Sequence, residues 1–344
     1  MQSLTKQSVW EIIKRQKEVS NEDYFRLIKE VRRFIMLFLM LSLAVFFALA
    51  LFAKGGIYDV LGIISKVIIP VYLIAFAFEF LNYLLRFFKW AYFLRVLKIK
   101  IPFSKNFVIY MSMYSMNLTP GEIGRAISAY TLTRVSSFSF ASVLPIITMD
   151  IFTDSLGIIA LSAFVAIFLP SYLLIILLAD FILLFPYMFL VSPWLFNILK
   201  QRFMHSKLSN LFETYGEEYF IAQSKLNNLK VYLVSMLFTV PAAVFNALSL
   251  YIVFVSLHIN AGVLKSVAVY TVSTLIGIAS FIPGTIGSAD LAMSTLSASS
   301  FYIPLSESVA TTILARIVVV WFDVLVGTAF LIYSFRYWRN RAIK

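Results

Sequence analysis

The chain has 344 residues, of which 61% are hydrophobic and 13% charged, against roughly 45–50% and ~25% in soluble domains. That composition excludes a large soluble core and fits an integral membrane protein with several spans; the net charge of +12 then reports loop orientation and contact with anionic lipid rather than nucleic acid. There is no cysteine, and His205 and His258 stand far apart without a metal motif, so no disulfide, thiolate chemistry, metal or cofactor is implied.

Residues 1–33 hold eight Lys or Arg and five acids. Apolar stripes through Trp10, Ile13, Leu27 and Val31, with "SNED" as an N-cap, predict amphipathic helices along the inner surface; a solvated tail is the alternative for residues 1–18. The first apolar run is a full span rather than a short leader, so no signal peptide is expected. Spans are predicted over 33–53 and 61–85, joined by "KGGIYD". The stretch "RFFKWAYFLRVLKIKIPFSK" carries six basic residues and no acid and reads as a cytoplasmic interfacial loop.

A short apolar stretch, 107–118, then meets a break in "MNLTPGEIGRA" and restarts at Ile123, which predicts a re-entrant hairpin. Residues 136–170 read as one span containing Pro145, and 172–191 as its return. A polar segment, 200–230, follows on the inside. Residues 231–257 cross again, 263–303 form a second hairpin broken at "SFIPGTIGSAD", and 308–335 return to a basic tail, "RYWRNRAIK". The predicted fold is an all-α polytopic integral membrane protein. It has about six full spans plus two Pro-Gly-broken re-entrant hairpins, a membrane domain over 34–335 (halves 34–170 and 171–335) and a tail over 336–344. Both termini face the cytoplasm, at the plasma membrane. Pro-Gly-x-Ile-Gly begins at Pro120 and again at Pro283, 163 residues later, and an odd number of crossings per half makes the halves inverted. Inverted repeats with discontinuous helices point to a transporter site. A kinked helix pair using Gly only for packing, and a count in which every hairpin arm spans, are the competing readings.

The breaks have a chemistry. Thr119, Pro120 and Glu122 suit the N-cap, N1 and N3 positions of a helix start, and Gly121 and Gly124 permit close approach. Pro283, Gly284 and Gly287 repeat the arrangement. A helix N-terminus at membrane depth offers N–H donors and a positive dipole end to an anion. Ionisable residues also fall inside apolar segments: Glu79, Arg125, Asp150, Asp154, Asp180, Asp290, Glu307, Arg316 and Asp323. Each costs roughly 2.5–3.5 kcal/mol at the bilayer centre. The reading is that Arg125 and Arg316 hold a lipid phosphate, while Asp150, Asp154 and Asp290 hold the arginines or attract a cationic headgroup. The competing reading is a set of structural ion pairs. No GxSxG, Walker A or DxD set is present, so no catalytic residue is assigned and an enzyme is not expected.

In order and spacing, four stretches resemble the lysylphosphatidylglycerol synthase transmembrane-region family, also called flippase-like or UPF0104. They are "NLTPGEIGRAISAYTL" (Asn117, Pro120, Gly121, Gly124, Tyr130, Leu132), "ASVLPIITMDIFTDSLGIIAL" (Asp150 and Asp154), "IPGTIGSADLA" (Pro283, Gly284, Gly287, Asp290) and "LARIVVVWFDVLVG" (Arg316, Trp321, Gly327). Asp150 and Asp290 stand where the family usually has Glu, Ile151 where it has Arg, Arg125 where an acid is usual, and Ser128 where a basic residue is common. The resemblance implies a stand-alone membrane domain, without the aminoacyl transferase of some members, that moves or binds an anionic phospholipid or a polyprenyl-phosphate-linked lipid. A separate lipid-modifying enzyme and a homo-oligomer are its expected partners. The alternatives are a secondary transporter of a small solute or ion, and an accessory subunit of a lipid- or glycolipid-modifying enzyme.

Overall fold

The computed structural model describes residues 21–52, 56–118, 125–136, 138–191 and 216–342. Among these residues every regular element is helical. Helix α1, Asn21–Phe52, runs for 32 residues without a break, so the expected division between a surface helix and a first span at residue 33 is not a break in secondary structure. Leu37, Met40, Leu43, Phe47 and Leu51 are exposed along one of its faces, at the three- and four-residue spacing of a lipid-facing stripe.

The expected span over 61–85 divides differently. Helix α2, Gly56–Ile64, ends at a turn, and α3, Ile69–Val96, starts with Pro70 in its first turn and continues for 28 residues. The first half of the basic stretch is therefore helix, not loop. Helix α4, Phe103–Ser112, and a 3-10 turn, Met113–Met116, form the first arm of hairpin one; α5, Ala126–Val135, forms the second. The break between them, with Pro120, Gly121, Glu122 and Gly124, lies outside the described residues. Helix α6, Phe140–Phe168, is capped by Ser139 and carries Pro145 inside it. Helix α7, Leu173–Val191, returns, its 19 residues giving about 28 Å at 1.5 Å each, close to the ~30 Å hydrocarbon core.

In the second half, α8 is Glu217–Leu226 and α9 is Leu229–Ser256, capped by Asn228. Helices α10, Val263–Ala279, and α11, Ser288–Phe301, are the arms of hairpin two. They run antiparallel. Lys265 Nζ reaches Ser300 O at 3.4 Å near the open end, and near the tip a Cβ on Gly277 would stand 2.8 Å from that of Ala289. Helix α12, Leu305–Arg316, passes through a π-helical turn, Ile317–Trp321, into α13, Phe322–Ala342. Five helical stretches among the described residues are long and apolar enough to cross a membrane: Ile35–Phe52, Ile69–Val96, Phe140–Phe168, Leu229–Ser256 and Leu305–Ser334. Pro170–Phe185 is a shorter apolar helix beside them.

Helices α3 and α9 are both 28 residues long and pack against each other along their length. Ile68 N donates to Ser256 O at 2.8 Å, Ser249 Oγ to Ala75 O at 3.2 Å, and the rings of Phe78 and Phe245, and of Phe88 and Phe238, meet at a tilt. The order is antiparallel, middle to middle. Each is the long helix that precedes a broken hairpin in its half. Antiparallel orientation of corresponding helices is what an inverted repeat predicts.

Candidate functional site

Beside the contact of α3 with α9 the apolar packing gives way to charge. Helix α3 presents Glu79, Asn82, Arg86 and Lys89 at helical spacing on one face. Lys89 has no exposed surface. Its Nζ lies 3.0 Å from Asp150 Oδ1, donates to the Asp150 carbonyl at 3.0 Å, and pairs with Asp154. Arg86 also pairs with Asp154 and donates from Nε to Asn82 Oδ1 at 2.7 Å. From hairpin one, Arg125 reaches Asp154 at 3.3 Å and Asp150 at 3.5 Å, donates to Asn117 Oδ1 at 3.2 Å, and lies over the Tyr114 ring. Asn117 passes the chain on to Asp323 at 2.9 Å, which Tyr83 also bonds. The network is continuous from Asp150 to Asp323, and its buried charges have the partners that burial demands.

The second cluster sits at hairpin two. Phe281 and Thr285 take φ of 53° and 54°, Gly284 62° and Gly287 89°, so four positions of the turn have positive φ, interspersed with extended Ile282 and Ile286. Asp290 accepts from Gly287 N at 2.7 Å, and Arg316 Nε stands 2.6 Å from its other oxygen, an ion contact outside hydrogen-bonding angles. Arg316 Nη2 donates to Gly284 O at 2.9 Å and Thr285 Oγ1 at 3.1 Å. The Gly287 N–H, which the sequence offered to an anion, is taken by the chain's own carboxylate. Arg316 therefore fastens α12 to the hairpin tip at the start of the π turn, a backbone feature frequent at functional sites.

The hairpins meet. Leu118, two residues before Pro120, packs so closely on Gly284 that a Cβ there would lie 2.7 Å from its Cδ2. The two clusters also repeat each other with charge reversed. In the first half the hairpin carries the cation, Arg125, and the following span the acid, Asp154. In the second half the hairpin carries the acid, Asp290, and the following span the cation, Arg316. The separations, 290 − 125 = 165 and 316 − 154 = 162, bracket the 163-residue offset of the Pro-Gly motifs.

Both clusters border one cavity of about 490 Å³, within the ~300–1,000 Å³ of small-molecule sites. Arg86, Arg125, Arg316, Asp154 and Asp323 give it charge. Ile182, Phe281 and Ile282 also line it, yet are 39%, 59% and 41% exposed. This edge of the cavity, between α7 and the tip of hairpin two, is apolar and open.

Of the residues expected to form a site, Arg125, Asp150 and Asp154 come together, as do Gly284, Gly287, Asp290 and Arg316; Pro283 opens the turn between α10 and α11. Arg316 pairs with Asp290 and not with Asp150 or Asp154. The sequence reading missed Arg86 and Lys89, which it placed in an interfacial loop, and gave no role to Asn82, Asn117 or Asp323. The i, i+3, i+7, i+10 spacing of Glu79, Asn82, Arg86 and Lys89 was the available signal. Among the described residues no group of acids and histidines could hold a metal ion.

Fold and cavity define a polytopic helical membrane protein with a charged, largely buried site between its two broken hairpins. The family model for the lysylphosphatidylglycerol synthase TM region matches residues 35–327, and the chain belongs to that family. No curated protein matches it.

Proposed function

We infer that the protein translocates a phosphate-bearing lipid across the bilayer, the phosphate held by Arg125 and Arg316 and the acyl chains left in the membrane. The observation that carries this reading is the cavity itself. It combines three arginines with an exposed apolar edge at Ile182, Phe281 and Ile282, so a polar headgroup can enter while its tails stay among lipid. A carrier for a water-borne solute has no need of such an edge. Family membership supports a lipid-related role. The substrate is an anionic phospholipid or a polyprenyl-phosphate-linked lipid, moved without covalent chemistry, and supplied or used by a separate lipid-modifying enzyme. The protein acts in the plasma membrane with both termini cytoplasmic, as monomer or homo-oligomer.

The test is translocation in proteoliposomes of fluorescent phosphatidylglycerol against phosphatidylcholine and a polyprenyl phosphate, with Arg125→Lys and Arg316→Lys alongside wild type. Lysine keeps the charge and loses the planar fork. Both variants should elute as folded protein and move lipid at least tenfold more slowly. Wild-type rates in folded variants would remove the phosphate role of these residues. Transport of a soluble anion without lipid would favour a solute carrier.

A further inference from the structure

One buried group has no part in holding a phosphate. Glu79 is completely buried in the middle of α3. Its Oε1 accepts from Asn82 Nδ2 at 2.6 Å, while its Oε2 has no donor. Asp323 of α13 comes close to it: the neighbouring Phe322 packs on Phe76 and on Tyr83, which lie one turn to either side of Glu79, and Tyr83 bonds Asp323 itself. Asp323 is itself 7% exposed and lines the cavity. Two buried carboxylates brought together inside a membrane protein resist joint ionisation, and a shared proton removes the repulsion. That proton would also supply the donor that Glu79 Oε2 lacks. A proton so held belongs to the pair and not to either acid.

The surroundings keep the pair responsive to charge. On α3, Tyr83 bonds Asp323, Asn82 bonds Glu79, and Arg86, two turns beyond Glu79, bonds Asn82 and adds a positive charge. From hairpin one, Asn117 bonds Asp323 directly, and Arg125 and Tyr114 lie close behind it. Tyr270 of α10 lines the same cavity as Asp323. The bonded path Asp323–Asn117–Arg125–Asp154 joins the pair to the cationic cluster.

The geometry points to Glu79 and Asp323 as a proton-binding site that couples headgroup binding, and hence translocation, to protons. This rests on the reading that the cavity takes a phosphate. An anion at Arg86, Arg125 and Arg316 sits beside Asp323 on the same cavity wall and opposes its negative charge, so the occupied site takes up a proton. By linkage the protonated site then binds the anion more tightly. Binding weakens as pH rises through the titration of the pair. With acid outside, the proton and the lipid load together.

Proton uptake upon binding tests this without requiring transport. Purified protein in weakly buffered detergent, with a pH-indicator dye, is mixed with short-chain phosphatidylglycerol or with glycerophosphoglycerol. Both are phosphodiesters whose charge does not change in the working range, and comparing them separates lipid from free headgroup. Wild type should take up close to one proton per lipid bound, and its dissociation constant should rise by up to about tenfold per pH unit, the limit for one linked proton. Glu79→Gln, which keeps the acceptor for Asn82 and donates to Asp323, should bind with no proton uptake and a flat pH profile. Tyr83→Phe, which leaves all charges in place but removes a donor to Asp323, should favour the protonated pair and move the pH dependence of binding to higher pH; an unmoved profile would place the proton elsewhere, and this arm decides the matter if Glu79→Gln does not fold. Binding by wild type without proton uptake overturns the coupling and leaves the proposed function standing. Absence of binding at any pH by both phosphodiesters and by a short-chain polyprenyl phosphate overturns the proposed function, and the coupling with it.

Discussion

Lys89 is the most informative position to perturb, because it lies at the centre of the first cluster and no sequence argument placed it there. Lys89→Met keeps the length of the stem and removes an ammonium that sits 3.0 Å from Asp150 and also pairs with Asp154. Breaking a buried pair by deleting one partner costs about 3–5 kcal/mol, since the other charge is left behind. Arg86 and Arg125 still face the two acids, so the lower figure, ~3 kcal/mol, applies. At ~2 °C per kcal/mol for larger chains, the apparent melting temperature in detergent should fall by about 6 °C. Asp150→Asn alone should also destabilise, by leaving the cations in excess. The double variant removes one charge of each sign and should recover more than half of the loss. Scanning fluorimetry of the four proteins at one scan rate closes the cycle. A Lys89→Met protein melting within a degree of wild type, or a double variant at the sum of the singles, would show that the ammonium does not balance Asp150 and refute the reasoning.

Two further outcomes follow from packing and topology. A Cβ on Gly327 would meet backbone atoms of Tyr114 and Ser115 well inside contact distance, so Gly327→Ala should push α13 off hairpin one and cost about 1–3 kcal/mol; Gly62→Ala, with nothing within 4 Å of its Cβ, should melt at or above wild type. Single cysteines at residues 3 and 342 of this cysteine-free chain should label from the same, cytoplasmic side, and labelling from opposite sides would break the even count of crossings.

What the sequence determined by itself was set by local chemistry. Apolar runs of ~20 residues have only helices as an outlet in lipid, so α6, α7 and α9 were legible nearly to their ends, and α1 at its C-terminal end. The second Pro-Gly motif was legible as a break because its glycines permit left-handed backbone. The cost of charge in hydrocarbon marked Asp150, Asp154, Asp290 and Arg316 in advance as residues needing partners. Which partners they have was decided only by tertiary structure. Basic residues near the end of a span have the same composition whether they snorkel to the interface or turn inward, and a helix that continues looks like a loop when its charges are counted along the chain. Helix α3 runs on to Val96 because Lys89 and Arg86 find Asp150 and Asp154 on α6, more than sixty residues away. The reversal of charge between the halves, the contact of Leu118 with Gly284, and the acid pair of Glu79 and Asp323 likewise join segments far apart in sequence. They exist only because α3 and α9 pack antiparallel and bring both broken hairpins to one cavity.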